Sequence, residues 1–256
     1  KDRFLKLLIY GAFGVGKTTL AASATEVEKM QDTLLLNCEA GDLSISESNI
    51  DVVNATNFPP AARVYEYLKR HCQLRDDNDV ENLKLLQSRM TGIPIEEIKE
   101  PKCYRTVVVD SLSELETFSM YNILGITNAT ALDQETAVAE WSDFRRNFNA
   151  IQRLVRAFRN LPMHVIFTCA QQYQQDEAKR MLYMPLLTGK LSSQIQGFVD
   201  VVGYLQVQNI EGAVVRRLYV QPVGRFDAKC RFPKFKDPYF ENPTIANMLE
   251  AVGLSD

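Results

Sequence analysis

Residues Gly11-Ala12-Phe13-Gly14-Val15-Gly16-Lys17-Thr18 follow a short apolar run and precede a helix-prone one, and they fit the pattern G-x-x-x-x-G-K-[ST]. The glycines let the backbone curl so that successive N–H groups point inward at phosphate oxygens, and a helix starting behind them adds its partial positive end. This loop, with Thr19 behind it, is expected to hold the phosphates of ATP. Lys17 is suited to reach the β- and γ-phosphates and the Thr18 hydroxyl to ligate Mg²⁺. ATP is expected over GTP, because the chain has no Asn-Lys-x-Asp guanine-reading run. Three further apolar runs end in a polar side chain. Asp110 closes the run from Thr106 and suits Mg²⁺ support, although an acid there also suits the cap of a following helix. Glu39 closes the run from Leu34, only 22 residues after Lys17, and can polarise the water that attacks a γ-phosphate. The neighbour of Asp110, Ser111, cannot be such a base; a solvated loop acid is the plain alternative for Glu39. Gln171, preferred to Gln172, ends the run from His164 with an amide that can sense a γ-phosphate and pass the change onward.

Six runs read as strands: residues 4–10, 33–38, 106–109, 164–169, 199–208 and 214–220. The first four are nearly continuous in Leu, Ile and Val, as in strands covered on both faces, and helix-prone stretches separate them. The pattern predicts an α/β fold with a mainly parallel sheet and helices on both faces. The last two runs are joined by Asn209-Ile210-Glu211-Gly212-Ala213 and are expected to form an antiparallel hairpin at one edge. A helix over residues 244–252 closes the chain. Residues 58–104 are charged and helix-prone without a strand signal, and read as a helical insertion. With no repeat or linker-like tract, the whole of 1–256 is expected to be a single domain. Residues 141–161 read as a helix: with Arg145 at zero on the wheel, Arg156 and Arg159 fall within about 40° and Arg153 and Arg146 within about 100°, while Phe144, Phe148, Ile151, Val155 and Phe158 lie on the other side.

The chain has 256 residues, 46% apolar and 24% charged, with a net charge of −3. That excludes disordered and collagen-like classes. The five cysteines and two histidines are not at metal-ligand spacing and read as reduced and structural. No run reaches the roughly eighteen apolar residues of a membrane span, so no membrane partner is expected and the cytoplasm is the expected location. The first ten residues are too short and charged for a signal peptide, and Lys1 in place of Met points to a native N-terminus further upstream. Slight acidity argues against wrapping nucleic acid over the whole surface, so any such site must be local.

With the loop 11–18, Glu39, Asp110 and Gln171 in this order, the chain resembles the RecA-like P-loop ATPases. More closely it resembles phage-encoded Sak-type recombination ATPases related to RadB, through Pro185-Leu186-Leu187-Thr188-Gly189-Lys190-Leu191, Phe198-Val199-Asp200-Val201-Val202-Gly203-Tyr204-Leu205 and Ala228-Lys229-Cys230-Arg231-Phe232. The resemblance implies a homo-oligomeric ring or filament in which Lys229 and Arg231 reach the neighbouring subunit's γ-phosphate. It also implies DNA-stimulated ATP hydrolysis in recombination or single-strand annealing, inside a bacterial host cell, with a single-strand-binding protein as a further partner. RecA-like proteins place a DNA-binding loop where residues 172–190 run, polar and without a strand signal. Its Tyr173, Lys179, Arg180, Tyr183 and Lys190 offer stacking and phosphate neutralisation for single-stranded DNA, against the acids Asp176 and Glu177. The arginine face of 141–161 is a second candidate. Two other classes stay open: a small-molecule kinase, for which only Arg180 is available as a lid arginine in 172–190, and an ATP-binding DNA-binding or loader module with little turnover.

Overall fold

The computed structural model describes residues 3–39, 41, 43–175, 179–233 and 235–254; Lys1, Asp176 and Glu177 lie outside them. In chain order the elements are β1 (Lys6–Gly11), α1 (Lys17–Ala22), β2 (Thr33–Asn37), β3 (Ile50–Asn54), α2 (Phe58–Asp76), α3 (Val80–Thr91), β4 (Thr106–Asp110), α4 (Leu112–Ile123), α5 (Trp141–Arg159), β5 (His164–Gln175), β6 (Met181–Pro185), α6 (Leu191–Gln196), β7 (Val201–Ile210), β8 (Ala213–Tyr219), β9 (Lys229–Cys230), β10 (Tyr239–Glu241) and α7 (Ile245–Val252).

The strands form one sheet in the order β10-β8-β7-β1-β5-β4-β2-β3, with β6 paired to β5 and β9 to β7. From β7 to β3 every neighbour along this path is parallel, and β8 and β10 are antiparallel. Alternation along each strand sends Leu8, Tyr10, Leu34, Leu36, Val107 and Val109 into a layer with α2, α4, α5 and α6. Leu7, Ile9, Leu35, Val108 and Ile166 face α1 and α7. Both faces are therefore covered, which is why the central strands carry Leu, Ile and Val at nearly every position. The register sets Gly11 beside Ala170 and Asn37 beside Asp110, so the polar strand ends gather along one edge of the sheet.

Helix ends are fixed locally. Ser111 caps α4 by accepting from the Glu114 N–H, which leaves the Asp110 carboxylate free of the capping role. Glu140 and Asp143 form a capping box before α5, and Thr244 and Asn247 form one before α7.

Four expectations need correction. The stretch 172–190 is not strandless: β5 continues to Gln175 and pairs with β6 as a hairpin standing beyond the sheet. The β5 extension, Gln171-Gln172-Tyr173-Gln174-Gln175, carries no apolar signal, and its last three residues are exposed. The hairpin of β7 and β8 turns through Glu211 and Gly212 alone, both at positive φ, so its strands run further than the five-residue link implied. It is also not the edge, since β10 pairs outside β8. Finally, β3 went unread because Asp51 interrupts a half-exposed edge strand, and α1 is a single short helix continued by 3₁₀ turns.

Candidate active site

The loop between β1 and α1 is shaped by close approach and by φ. A Cβ on Gly11 would lie 2.4 Å from the Leu205 carbonyl oxygen of β7, so the strand can end there only in glycine. Gly14 and Gly16 take φ of 75° and 98°, the left-handed values that curl the loop. The Gly16 carbonyl then accepts from Leu20 N at 2.9 Å and starts α1. Ala12 and Val15 are half-buried, while Phe13 is 76% exposed at the tip and Thr19 is exposed on α1.

Lys17 is 6% exposed, and its Nζ donates to the Gly11 and Ala12 carbonyls at 3.3 and 2.9 Å. Burial pushes its pKa down, and the negative charges of Glu39 and Asp110 push it back up. Both acids therefore act on the loop lysine, which brings the three charged residues singled out in the sequence to one place. Asp110, 2% exposed, accepts from Thr18 Oγ1 at 2.6 Å on one oxygen and from Thr168 Oγ1 on the other. Thr168 has no sequence signal of its own; only the β4–β5 pairing sets it beside the acid. Glu39 is half-buried, and its N–H donates to Asn37 Oδ1, whose amide donates in turn to Asn54 of β3. Glu114, also missed in the sequence, has its carboxyl pKa raised by burial and then by the Glu39 charge.

Gln171 begins one residue past the Ala170–Gly11 pair, alongside the loop. It accepts from Tyr204 Oη of β7 at 3.1 Å and donates to Tyr173 Oη of the β5–β6 hairpin at 2.9 Å. Gln172 instead donates to the Pro185 and Leu187 carbonyls and ties the hairpin base. Tyr173 is 56% exposed, while Tyr183 packs among Tyr173, Tyr204 and Phe226, so the open stacking face belongs to Tyr173. Lys179 and Arg180 are exposed near the hairpin turn, and Lys190 is exposed ahead of α6. Lys229 and Arg231 lie elsewhere. They sit on and just after β9, beside the first residues of β7, at the sheet end opposite the loop. Lys229 donates to the Gln196 carbonyl, and Arg231 donates to Gly197 at 2.8 Å and pairs with Asp200 at 3.7 Å.

Among the described residues no group of three His, Cys, Asp or Glu side chains stands ready to hold a metal. The Thr18 hydroxyl and the Asp110 carboxylate, completed by phosphate oxygens and water, are the hard-oxygen donors that fit Mg²⁺.

A family model described as an AAA domain matches residues 3–232, most of the chain. The chain belongs to that family. It is an AAA-domain ATPase, and its α/β architecture is the one expected of a RecA-like P-loop core. No curated protein matches the ATPase significantly. Among solved structures it is similar to a KaiC-like protein of Pyrococcus horikoshii OT3, at 15% identity over 84% of this chain and 77% of that one, with a TM-score of 0.42. It is similar to the flagellar accessory protein FlaH of Methanocaldococcus jannaschii, at 11% identity over 94% and 87%, with a TM-score of 0.44. It is also similar to the RadB recombinase, at 13% identity over 84% of this chain and 79% of that one, with a TM-score of 0.39. The family assignment of this ATPase stands on the AAA-domain match alone. Among its described residues no helix is long and apolar enough to cross a membrane.

Proposed function

We propose that this ATPase holds Mg-ATP in the loop 11–18, works as one cytoplasmic domain within a homo-oligomeric ring or filament, and couples hydrolysis to single-stranded DNA on the β5–β6 hairpin. Its role is then recombination or strand annealing of the phage Sak type, beside a single-strand-binding protein. The observation that carries this reading is the position of Gln171, which lies beside the phosphate loop and is bonded to the exposed Tyr173 of the hairpin.

Mg²⁺ held by Thr18 and Asp110 would neutralise charge on the phosphate oxygens. The chain's own residues do the rest. Loop amides and Lys17 grip the phosphates, with Thr18 and Asp110 holding the metal. The Glu39 carboxylate orients the attacking water and takes its proton as the water oxygen bonds to the γ-phosphorus, while the bond from that phosphorus to the β–γ bridging oxygen breaks and ADP leaves with the oxygen. Gln171 reads the loss of the γ-phosphate by exchanging its bonds to Tyr204 and Tyr173. Tyr173 stacks on a base and Lys179, Arg180 and Lys190 meet the backbone, a combination that tolerates any sequence. Lys229 and Arg231, remote from their own loop, act on the neighbour's γ-phosphate.

The test is steady-state turnover with and without single-stranded oligonucleotide. Stimulation by the oligonucleotide that is lost in Tyr173→Ala supports the reading. DNA-independent transfer of phosphate to a metabolite would instead make the protein a kinase, and tight ATP binding without turnover would make it a loader module.

A further inference from the structure

Four carbonyls between Gly11 and Gly16 accept from protein donors. Lys17 serves Gly11 and Ala12, and Leu20 N serves Gly16. The Val15 carbonyl is served by Arg216 of β8, whose Nε donates to it at 3.1 Å across 201 residues of chain. The guanidinium lies so close over the loop that a Cβ on Gly16 would come within 3.1 Å of Arg216 Nε. The main chain of Arg216 is itself held by Asn242: its N–H donates to Asn242 Oδ1 at 3.0 Å, and its carbonyl accepts from Asn242 N at 2.7 Å. Arg217, next along the strand and on the other face, is occupied with Glu241 and the Tyr239 ring. The adjacent arginines therefore do different work.

We propose that Arg216 is a positioning residue of the nucleotide site, holding the outer turn of the phosphate loop through the Val15 carbonyl. The inference rests on the reading of loop 11–18 as a triphosphate site. Lys17 must leave Gly11 and Ala12 when it turns toward a phosphate; Arg216 need not move. It is the donor that keeps the curl while the lysine works, and it ties the loop to β8 and β10. A cavity of about 340 Å³ next to it, bordered by Thr19, Ser23, Asn242 and Thr244, keeps the guanidinium in contact with solvent on its outer side.

The chemistry suggests a clean test, because a glutamine amide nitrogen occupies the same place along the side chain as arginine Nε. Arg216→Gln keeps the donor to Val15 without the charge, and Arg216→Met keeps the length with neither. Affinities for Mg-ATP and for inorganic tripolyphosphate are measured by calorimetry, with a thermal melt to confirm folding of each variant. Arg216→Met should lose roughly tenfold on both ligands, the size of one hydrogen bond to a charged donor, and Arg216→Gln should stay within about threefold of the parent. Turnover at saturating ATP should change less than the KM. Equal loss in the Gln and Met variants would overturn the proposal in favour of a direct charge contact with the phosphates, and loss confined to ATP would overturn it in favour of a contact with the nucleoside. An unchanged Met variant would overturn the role of Arg216 alone. Failure of the parent protein to bind either ligand would instead remove the triphosphate site, and the proposal with it.

Discussion

At the scale of single residues, the site is a balance between buried charge and its partners. Lys17 is desolvated and sits within the fields of Glu39 and Asp110, so its ammonium has a defined place from which to meet a phosphate. Lys17→Ala should lower turnover by about 10²- to 10³-fold or more, the loss usual for one preorganised donor to developing charge, while the fold persists in a thermal melt. Thr168 is the less obvious partner. Its hydroxyl is one of two donors to an almost fully buried carboxylate. Thr168→Val keeps the shape and leaves one Asp110 oxygen without that donor, which costs about 1–3 kcal/mol in urea unfolding. The variant should also need more Mg²⁺ for half-maximal turnover, and Thr168→Ser should restore both quantities.

At the scale of elements, what could be read from sequence followed the burial. The strands that lead to Lys17 and Glu39 and that carry Asp110 and Gln171 are covered on both sides, so their apolar runs and polar ends stand out as letters. Elements that are half wet do not: Asp51 hides β3, and the glutamine-rich end of β5, residues 171–175, looks like a loop. Thr168, Glu114 and Arg216 were not legible either, because each acquires its role only from strand pairing or a distant chain crossing. One element-level consequence involves the N-terminal ends of β1 and β5, where His164 Nδ1 accepts from Leu5 N at 3.1 Å. Burial, reinforced by the charges of Lys6 and Arg105, pushes this imidazole down from its ordinary 6.5 to about 4. Between those values the unfolded chain binds the extra proton and the folded one does not, so stability is full above pH 6.5 and falls as the pH drops toward 4. The group's share of that loss is about 3 kcal/mol. His164→Asn, which keeps an acceptor but does not titrate, should flatten the pH dependence of urea midpoints between pH 7 and 4.5; an unchanged slope would place the effect elsewhere.

At the scale of the whole molecule, the question is where the last positive charge at the γ-phosphate comes from. Within one chain Lys229 and Arg231 are at the far end of the sheet from the phosphate loop, bonded to the carbonyls that end α6. They cannot serve their own site without dismantling β9. A second copy can present them, and the cost of releasing Arg231 is small, because it is half-exposed and its pairing with Asp200 is long. Such surface pairs contribute about 0–1 kcal/mol. In the proposed assembly a trans arginine would supply about 10³–10⁵ in rate. Arg231→Ala should therefore lose most of its turnover while ATP affinity, set by the loop, stays nearly intact. Mixing decides the point. Lys17→Ala subunits retain Arg231, and Arg231→Ala subunits retain a complete loop, so each can complete a site with the other. Equimolar mixing of the two weak variants should restore turnover above either alone, and turnover per subunit of the parent should rise with protein concentration. Absence of recovery in a mixture shown by mass to co-assemble would confine Arg231 to its bonds with α6.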